Sequence, residues 1–169
     1  MRVGVVGVGY VGLVTAACLA DSGTDVICVD SNEEKIRQLR EGVIPIYEPG
    51  LAEIVNRTRT TRRLQFTTSL KEAVEKSLLL FIAVGTPSGQ DGSADLSAVF
   101  RVAEGIAEHM DGYRILVGKS TVPVGTHAKI SERVAARTRQ PFDYVSNPEF
   151  LKEGSAIDDF MKPERIIVG

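Results

Sequence analysis

Cysteine and histidine are scarce in this chain of 169 residues, with two of each: Cys18 and Cys28, His109 and His127. No C-x-x-C pair and no Cys/His cluster can be drawn from them. That argues against a disulfide framework or a structural zinc site and points to a reducing, cytoplasmic setting without a metal. Cys18 falls in the apolar part of an expected first helix and Cys28 inside an expected second strand, so both read as small buried residues. An excess of one charge is also missing: 20 basic against 22 acidic residues leave a formal net charge of −2. There is thus no electrostatic case for nucleic acid or an anionic membrane as partner. The most basic stretch, Asn56 to Arg63 with Arg57, Arg59, Arg62 and Arg63, is short and holds no aromatic residue. It reads as a solvated helix end more readily than as a phosphate or partner contact.

Lysine and arginine are absent between Val3 and Ala20. Arg2 followed by that uncharged run has the composition of a signal peptide or a short membrane span. Its glycines would weaken a membrane helix, however, and it leads directly into a second β-branched run ending on an acid. What is present there is Gly-x-Gly-x-x-Gly at Gly7, Gly9 and Gly12, between the strand-like Val3 to Val6 and an apolar helix, with Val26 to Val29 and Asp30 beyond. Gly7 permits the tight turn out of the strand, Gly9 lets a pyrophosphate approach bare backbone, and Gly12 lets the helix pack close to the sheet. Unpaired N–H groups at the helix N-terminus bind the anion without a basic side chain. Asp30 is placed to accept hydrogen bonds from ribose hydroxyls. A 2′-phosphate would meet its carboxylate with no adjacent arginine, so NAD is favoured over NADP.

The length suits one domain, and 43% hydrophobic with 25% charged residues is the balance of a soluble globular chain with a real core. After Asp30, Ser31 or Asn32 is placed to cap a helix from about Glu33 to Arg40 that Gly42 ends. A proline-rich loop over Val43–Gly50 precedes a helix from Leu51 to about Thr58. Leu64–Thr67 reads as a short strand, and Ser69 caps a helix over Leu70–Glu75. Leu78–Val84 is apolar at every position, as a strand covered on both faces at the centre of a parallel sheet would be. A loop, Gly85 to Ser93 and including Gln90, leads to a helix from Asp95 or Ser97 to about His109, with Val99, Val102, Ala103 and Ile106 on one face. Ile115–Val117, a helix from Val124 to about Arg137, a strand near Tyr144–Val145 and a strand-like Arg165–Gly169 complete the chain. Strands and helices alternate throughout, which predicts an α/β Rossmann-type doubly wound parallel sheet, with ligands at the carboxyl ends of the strands.

The loops after those strands carry the chemistry. Gly85 and Thr86 follow the central strand and should face the nicotinamide half of a dinucleotide, although Pro87 fits turn chemistry equally well. Ser120 and Thr121 open an expected helix, where either is also a normal N-cap. Glu149 and Glu153 would share a face if helical. Such a pair is usually only solvated, but beside Asn147-Pro148 after a strand it is placed to supply a general base or hold a substrate hydroxyl.

Six stretches taken together resemble the UDP-glucose/GDP-mannose dehydrogenase family over essentially the whole chain: Gly7–Leu13, Tyr47–Leu51, Val84–Pro87, Asp91–Leu96, Lys119–Thr126 and Asn147–Ala156. The resemblance is to the N-terminal NAD-binding domain, closest in Asp91–Leu96 and Lys152–Ala156 to the branch acting on UDP-glucose. It implies oxidation of the sugar C6 hydroxyl to a carboxylate with two NAD and one water, giving UDP-glucuronate for polysaccharide synthesis. By position it implies NAD contacts from Tyr10 and Val11 in the glycine turn and from Asp30, Lys35, Gly85, Thr86, Thr121 and Glu153. It likewise implies a sugar site lined by Glu149, Phe150, Leu151, Lys152 and Glu153, in which Thr121 and Glu149 position and activate the water. The family's nucleophilic cysteine, which holds the aldehyde between the two oxidations, its catalytic lysine and asparagine, and its long dimerising helix all follow the point where this chain stops. Residues 1–169 are therefore expected to be one domain of a longer homodimeric enzyme, monomeric and inactive alone. The alternatives are an NAD-binding module without turnover, or a domain specific for GDP-mannose or a UDP-aminosugar.

Overall fold

A computed structural model describes residues 1–89 and 91–169; Gln90 of the expected loop lies outside the described residues. Among the described residues six strands form one sheet, β1 (Arg2–Val6), β2 (Asp25–Val29), β3 (Leu64–Thr67), β4 (Leu79–Ile82), β5 (Arg114–Gly118) and β6 (Phe142–Ser146). Their spatial order is β3-β2-β1-β4-β5-β6, and every neighbouring pair is parallel. The order reverses between β1 and β4, so the loops leaving those two strands diverge and open a crevice at the carboxyl edge. The sheet is the doubly wound one expected from the alternating pattern.

Among the described residues seven helices cover it: α1 (Tyr10–Asp21), α2 (Glu33–Glu41), α3 (Leu51–Thr60), α4 (Leu70–Lys76), α5 (Ser97–Glu108), α6 (Thr126–Ala135) and α7 (Ala156–Met161). Strand alternation sorts the core into two layers. Val26 and Cys28 pack with side chains of α1, α2 and α3, while Ile27, Val29, Leu80 and Ile82 pack with α4, α5 and α6. Leu80 is fully enclosed, and truncating such a leucine to alanine removes about 2 to 5 kcal/mol, a large share of a domain's stability. Helix α1 is buried nearly all round, from Gly12 to Ala20, which accounts for its uncharged sequence. Among the described residues no helix is long and apolar enough to cross a membrane.

The expected local signals reappear as hydrogen bonds. Asn32 caps α2 by accepting from Lys35 N–H, Gly42 ends it in the left-handed region at φ 87°, and Ser69 caps α4 by accepting from Glu72 N–H. Four expectations need correction. The central strand is shorter than Leu78–Val84, and only Leu80 and Ile82 are fully enclosed, Leu79 and Phe81 being partly exposed on the other face. Helix α6 begins at Thr126 rather than Val124, behind Gly125 at φ 86°, so neither Ser120 nor Thr121 caps it. Glu149 to Glu153 are not helical, and the turn that follows runs into α7, an element without a long enough apolar period to read from sequence. Ile166–Gly169 forms no strand, although Gly169 and Ser146 exchange both backbone hydrogen bonds.

Candidate functional site

Glycine geometry builds the floor of the crevice. Gly7 turns at φ 98°, and a Cβ on it would lie 2.6 Å from the Ala83 carbonyl oxygen, so close approach to the end of β4 requires hydrogen there. A Cβ on Gly12 would stand 1.8 Å from the Gly7 carbonyl oxygen, a separation no side chain can adopt. Gly9 differs from both. Its φ of −73° suits any residue, and an added Cβ meets nothing within 4 Å. The protein itself makes no demand for glycine at this position, and the open space lies over the N-terminus of a helix whose first turn carries no acidic residue.

Asp30 follows β2 at the same edge, its side chain 15% exposed. Its Oδ2 accepts from Val8 N–H at 3.1 Å and from Lys35 Nζ at 3.3 Å, while Oδ1 accepts from Asn32 N–H at 3.0 Å. The carboxylate thus fixes the glycine turn at the carboxyl edge of the sheet. Sequence reading found no arginine beside Asp30; the structure places the Lys35 ammonium there, with its charge matched by the carboxylate it contacts.

On the other side of the reversal, a cleft of about 230 Å³ is walled by Gly9, Tyr10, Val11, Gly85, Thr86, Thr121 and Glu149, with Lys119 and Ser120 behind. Thr86 Oγ1 donates to the Thr121 carbonyl at 3.1 Å and Ser120 Oγ to the Val84 carbonyl at 2.6 Å, so the loops after β4 and β5 are tied together. Thr121 is exposed at the cleft and does not cap α6, the N-cap position expected of it or Ser120 being held by Gly125.

A second cavity of about 160 Å³ adjoins the first and shares Lys119 and Glu149 with it. Phe150, Leu151, Asp159 and Arg165 also line it. Glu149 Oε2 accepts from Leu151 N–H at 2.5 Å, which folds the carboxylate back toward the wall both cavities share. Lys152 lies on a neighbouring depression, its Nζ 3.4 Å from Asp159. Glu153 is exposed in the turn before α7 and walls neither cavity, so the two glutamates do not act as a pair. The arginine-rich stretch carries ordinary surface contacts: Arg57 pairs with Asp21, and Arg59 donates to the Arg40 carbonyl.

Two residues at the site went unassigned in the sequence reading. Lys119, directly after β5, is 7% exposed and donates to Asn147 Oδ1 at 3.1 Å. Burial pushes its ammonium below the usual lysine range, against the pull of Glu149. A charged residue ending an apolar strand at the carboxyl edge was the available signal. The other, Glu48, is 4% exposed and sits in the Tyr-Glu-Pro-Gly loop. Both cysteines are buried and far in character from nucleophiles: burial, with Asp21 adding to it, pushes the Cys18 thiol up to about 12, and burial alone pushes Cys28 higher still.

A bare-backbone helix N-terminus, an acid after β2 and threonine loops across the reversal fit a dinucleotide lying along the carboxyl edge. Comparison with known proteins agrees. The profile of the UDP-glucose/GDP-mannose dehydrogenase family, NAD binding domain, matches residues 1–169. The UDP-glucose 6-dehydrogenase TuaD of Bacillus subtilis is 50% identical over 170 residues, 99% of this chain and 37% of that protein. Among solved structures, a UDP-glucose dehydrogenase from Pyrobaculum islandicum superposes with a TM-score of 0.96 at 43% identity over 99% of this chain and 40% of that one. A GDP-mannose dehydrogenase from Pseudomonas aeruginosa, in a ternary complex, also reaches 0.96, at 37% identity over 100% of this chain and 41% of that one. This chain spans well under half the length of these relatives. With the fold, the crevice and the match over its full length in agreement, the chain belongs to the UDP-glucose/GDP-mannose dehydrogenase family, as its NAD-binding domain.

Proposed function

We propose that this chain is the cofactor half of an NAD-dependent enzyme that oxidises the C6 hydroxyl of UDP-glucose to a carboxylate. The observation that carries the reading is the wall shared by the two cavities, where Glu149 and Lys119 stand between a cofactor cleft and a second chamber. NAD, when bound, supplies the hydride acceptor. The chain's own residues bind, orient and move protons. Gly9 and the α1 N-terminus take the pyrophosphate, Asp30 and Lys35 the adenosine ribose, and Gly85, Thr86 and Thr121 the nicotinamide half. Glu149 and Thr121 hold a water between them, with the carboxylate as the base that makes water nucleophilic. Phe150, Leu151 and Lys152 contribute to the sugar side, and Glu153, exposed in the turn before α7, is proposed to add a cofactor contact from outside the cleft. Lys119 supplies positive charge where an alcohol becomes a carboxylate. The longer protein is proposed to be a homodimer working in a reducing cytoplasm, and this chain alone a monomer. UDP-glucose is preferred over GDP-mannose because, of the two solved structures, the UDP-glucose dehydrogenase is the more identical, 43% against 37%.

Cofactor choice tests the Asp30 assignment. Calorimetric titration of this chain is expected to show NAD binding well and NADP poorly, because Asp30 already matches the Lys35 ammonium beside it. Asp30→Asn should weaken NAD by about 1 to 2 kcal/mol, the scale of one charge-assisted hydrogen bond. Equal affinity for the two cofactors would remove Asp30 from the ribose site. In the longer protein, Glu149→Gln should lower kcat on UDP-glucose roughly 10²- to 10⁴-fold, the usual range for losing a general base, with NAD affinity kept. A kcat within threefold of the unsubstituted enzyme rejects the water-activating role.

A further inference from the structure

Glu48 is a buried carboxylate with no part in the chemistry above, and its partners come from two distant places in the chain. Oε2 accepts from Tyr10 Oη at 2.5 Å and from Gly154 N–H at 2.7 Å, and Oε1 accepts from Ala156 N–H at 2.9 Å. Tyr10 opens α1 inside the glycine turn, and its hydroxyl additionally reaches the Lys152 carbonyl at 3.4 Å. Gly154, Ala156 and Ile157 form the entry to α7, whose own cap residue, Ser155, makes no side-chain capping bond. One carboxylate therefore does the capping that α7 lacks and grips the cofactor turn as well.

The electrostatics agree on who holds the proton. Burial alone would raise the Glu48 carboxyl, but the hydrogen bonds from Tyr10 and from the α7 backbone hold it below the usual carboxylate range. Burial and the bond to Glu48 push the Tyr10 hydroxyl up to about 12. Tyr10 thus remains the donor and Glu48 the charged acceptor through the working pH range. A carboxylate also suits the positive end of a helix. Proline and glycine after it fix the approach: Leu51 N–H bonds back to the Glu48 carbonyl, and Gly50 sits in the left-handed region at φ 79°, where a Cβ would touch Ile157.

We propose that Glu48 is a positioning residue that locks the glycine turn to the Lys152–Ala156 turn, through Tyr10 on one side and the α7 entry on the other, so that cofactor binding orders the sugar-side loop. The proposal rests on the reading above in placing residues 149–153 at the sugar site. The lock itself is independent of which sugar binds. NAD pressing on Gly9 to Val11 stiffens Tyr10, and the rigid carboxylate passes that constraint to Gly154 and Ala156.

Amide hydrogen exchange on this chain tests it, with and without NAD, in the unsubstituted protein, Glu48→Gln and Tyr10→Phe. Glutamine keeps the shape but offers one acceptor oxygen in place of two. Without ligand, Glu48→Gln is expected to speed exchange at least tenfold both at Ala156 and at Leu13, whose N–H bonds to Gly9. Faster exchange confined to Ala156 and Ile157 would mean that Glu48 only caps α7, and would overturn the proposal. With NAD, protection at Ala156 should rise in the unsubstituted chain and stay flat in Tyr10→Phe, which keeps the cap and loses only the link. NAD that binds with no change at Ala156 overturns the lock while leaving the cofactor site standing. NAD that does not bind rejects the cofactor reading, and the ligand-free comparison still decides the lock. Should Glu48→Gln not fold, Tyr10→Phe carries both arms, its ligand-free expectation being faster exchange at Leu13 with Ala156 unchanged.

Discussion

Gly9→Val is expected to abolish NAD binding, by at least 100-fold, while the protein melts within a few degrees of the unsubstituted chain. The two halves of that expectation come from one observation. Gly9 has a φ of −73° and open space where a Cβ would go, so valine meets no backbone strain there and its Cβ no neighbour within 4 Å. The cost to the fold is only that of a poorer helix cap, about 1 kcal/mol or less, and for a domain of this size about 2 to 4 °C. The same open space is where pyrophosphate must come within hydrogen-bond distance of the α1 N–H groups, and a branched side chain fills it. A hundredfold loss corresponds to about 2.8 kcal/mol. Gly12→Val is the contrast, because its Cβ would collide with the Gly7 carbonyl at 1.8 Å and the fold itself should fail. Calorimetry and a thermal melt on both variants make the comparison. A Gly9→Val chain binding NAD within threefold of the unsubstituted one would place the phosphates elsewhere.

Tested alone, this chain should form no NADH from UDP-glucose, and its thiols should be inert until it unfolds. Taking an alcohol to a carboxylate in one site requires the intermediate aldehyde to be held, and the proposed holder is a thiolate. Cys18 and Cys28 are both fully enclosed in the layer between β1, β2 and α1. With its thiol pushed up to about 12, Cys18 carries roughly one thiolate in 10⁵ at pH 7, against a few per cent for a free cysteine, and Cys28 fewer still. Neither lines the cleft that Thr121 and Glu149 share. The assay pairs absorbance at 340 nm with titration of thiols in the native and the denatured chain, where no group and two groups respectively should react. Sustained turnover that disappears in Cys18→Ser or Cys28→Ser would show the nucleophile to be here after all.

Most of the fold was legible because its signals are local. The turn from β1 into α1 depends on what glycine permits at Gly7 and Gly12, and the stops and starts at Asn32, Gly42 and Ser69 depend on bonds within four residues. Alternation of strand and helix then leaves few topologies, and the parallel sheet with its reversal between β1 and β4 is the common one. The all-apolar run before Gly85 placed β4 at the centre correctly but overstated its burial, since apolar composition does not reveal which face finds a partner.

By itself, the sequence determined the dinucleotide turn, the acid after β2, the parallel sheet and the family, because each rests on neighbours in the chain or on motif order. Tertiary structure alone decided the rest. It released Ser120 and Thr121 from capping by starting α6 later, behind Gly125. It separated Glu149 from Glu153 by denying them a helix, and it buried Lys119 between the two cavities. It also gave Glu48 partners 38, 106 and 108 residues away. The physical reason is shared by all four. A side chain's charge, exposure and hydrogen-bond partners are set by whatever the fold brings beside it, and that neighbourhood is not written in the local pattern from which helices, turns and strands can be read.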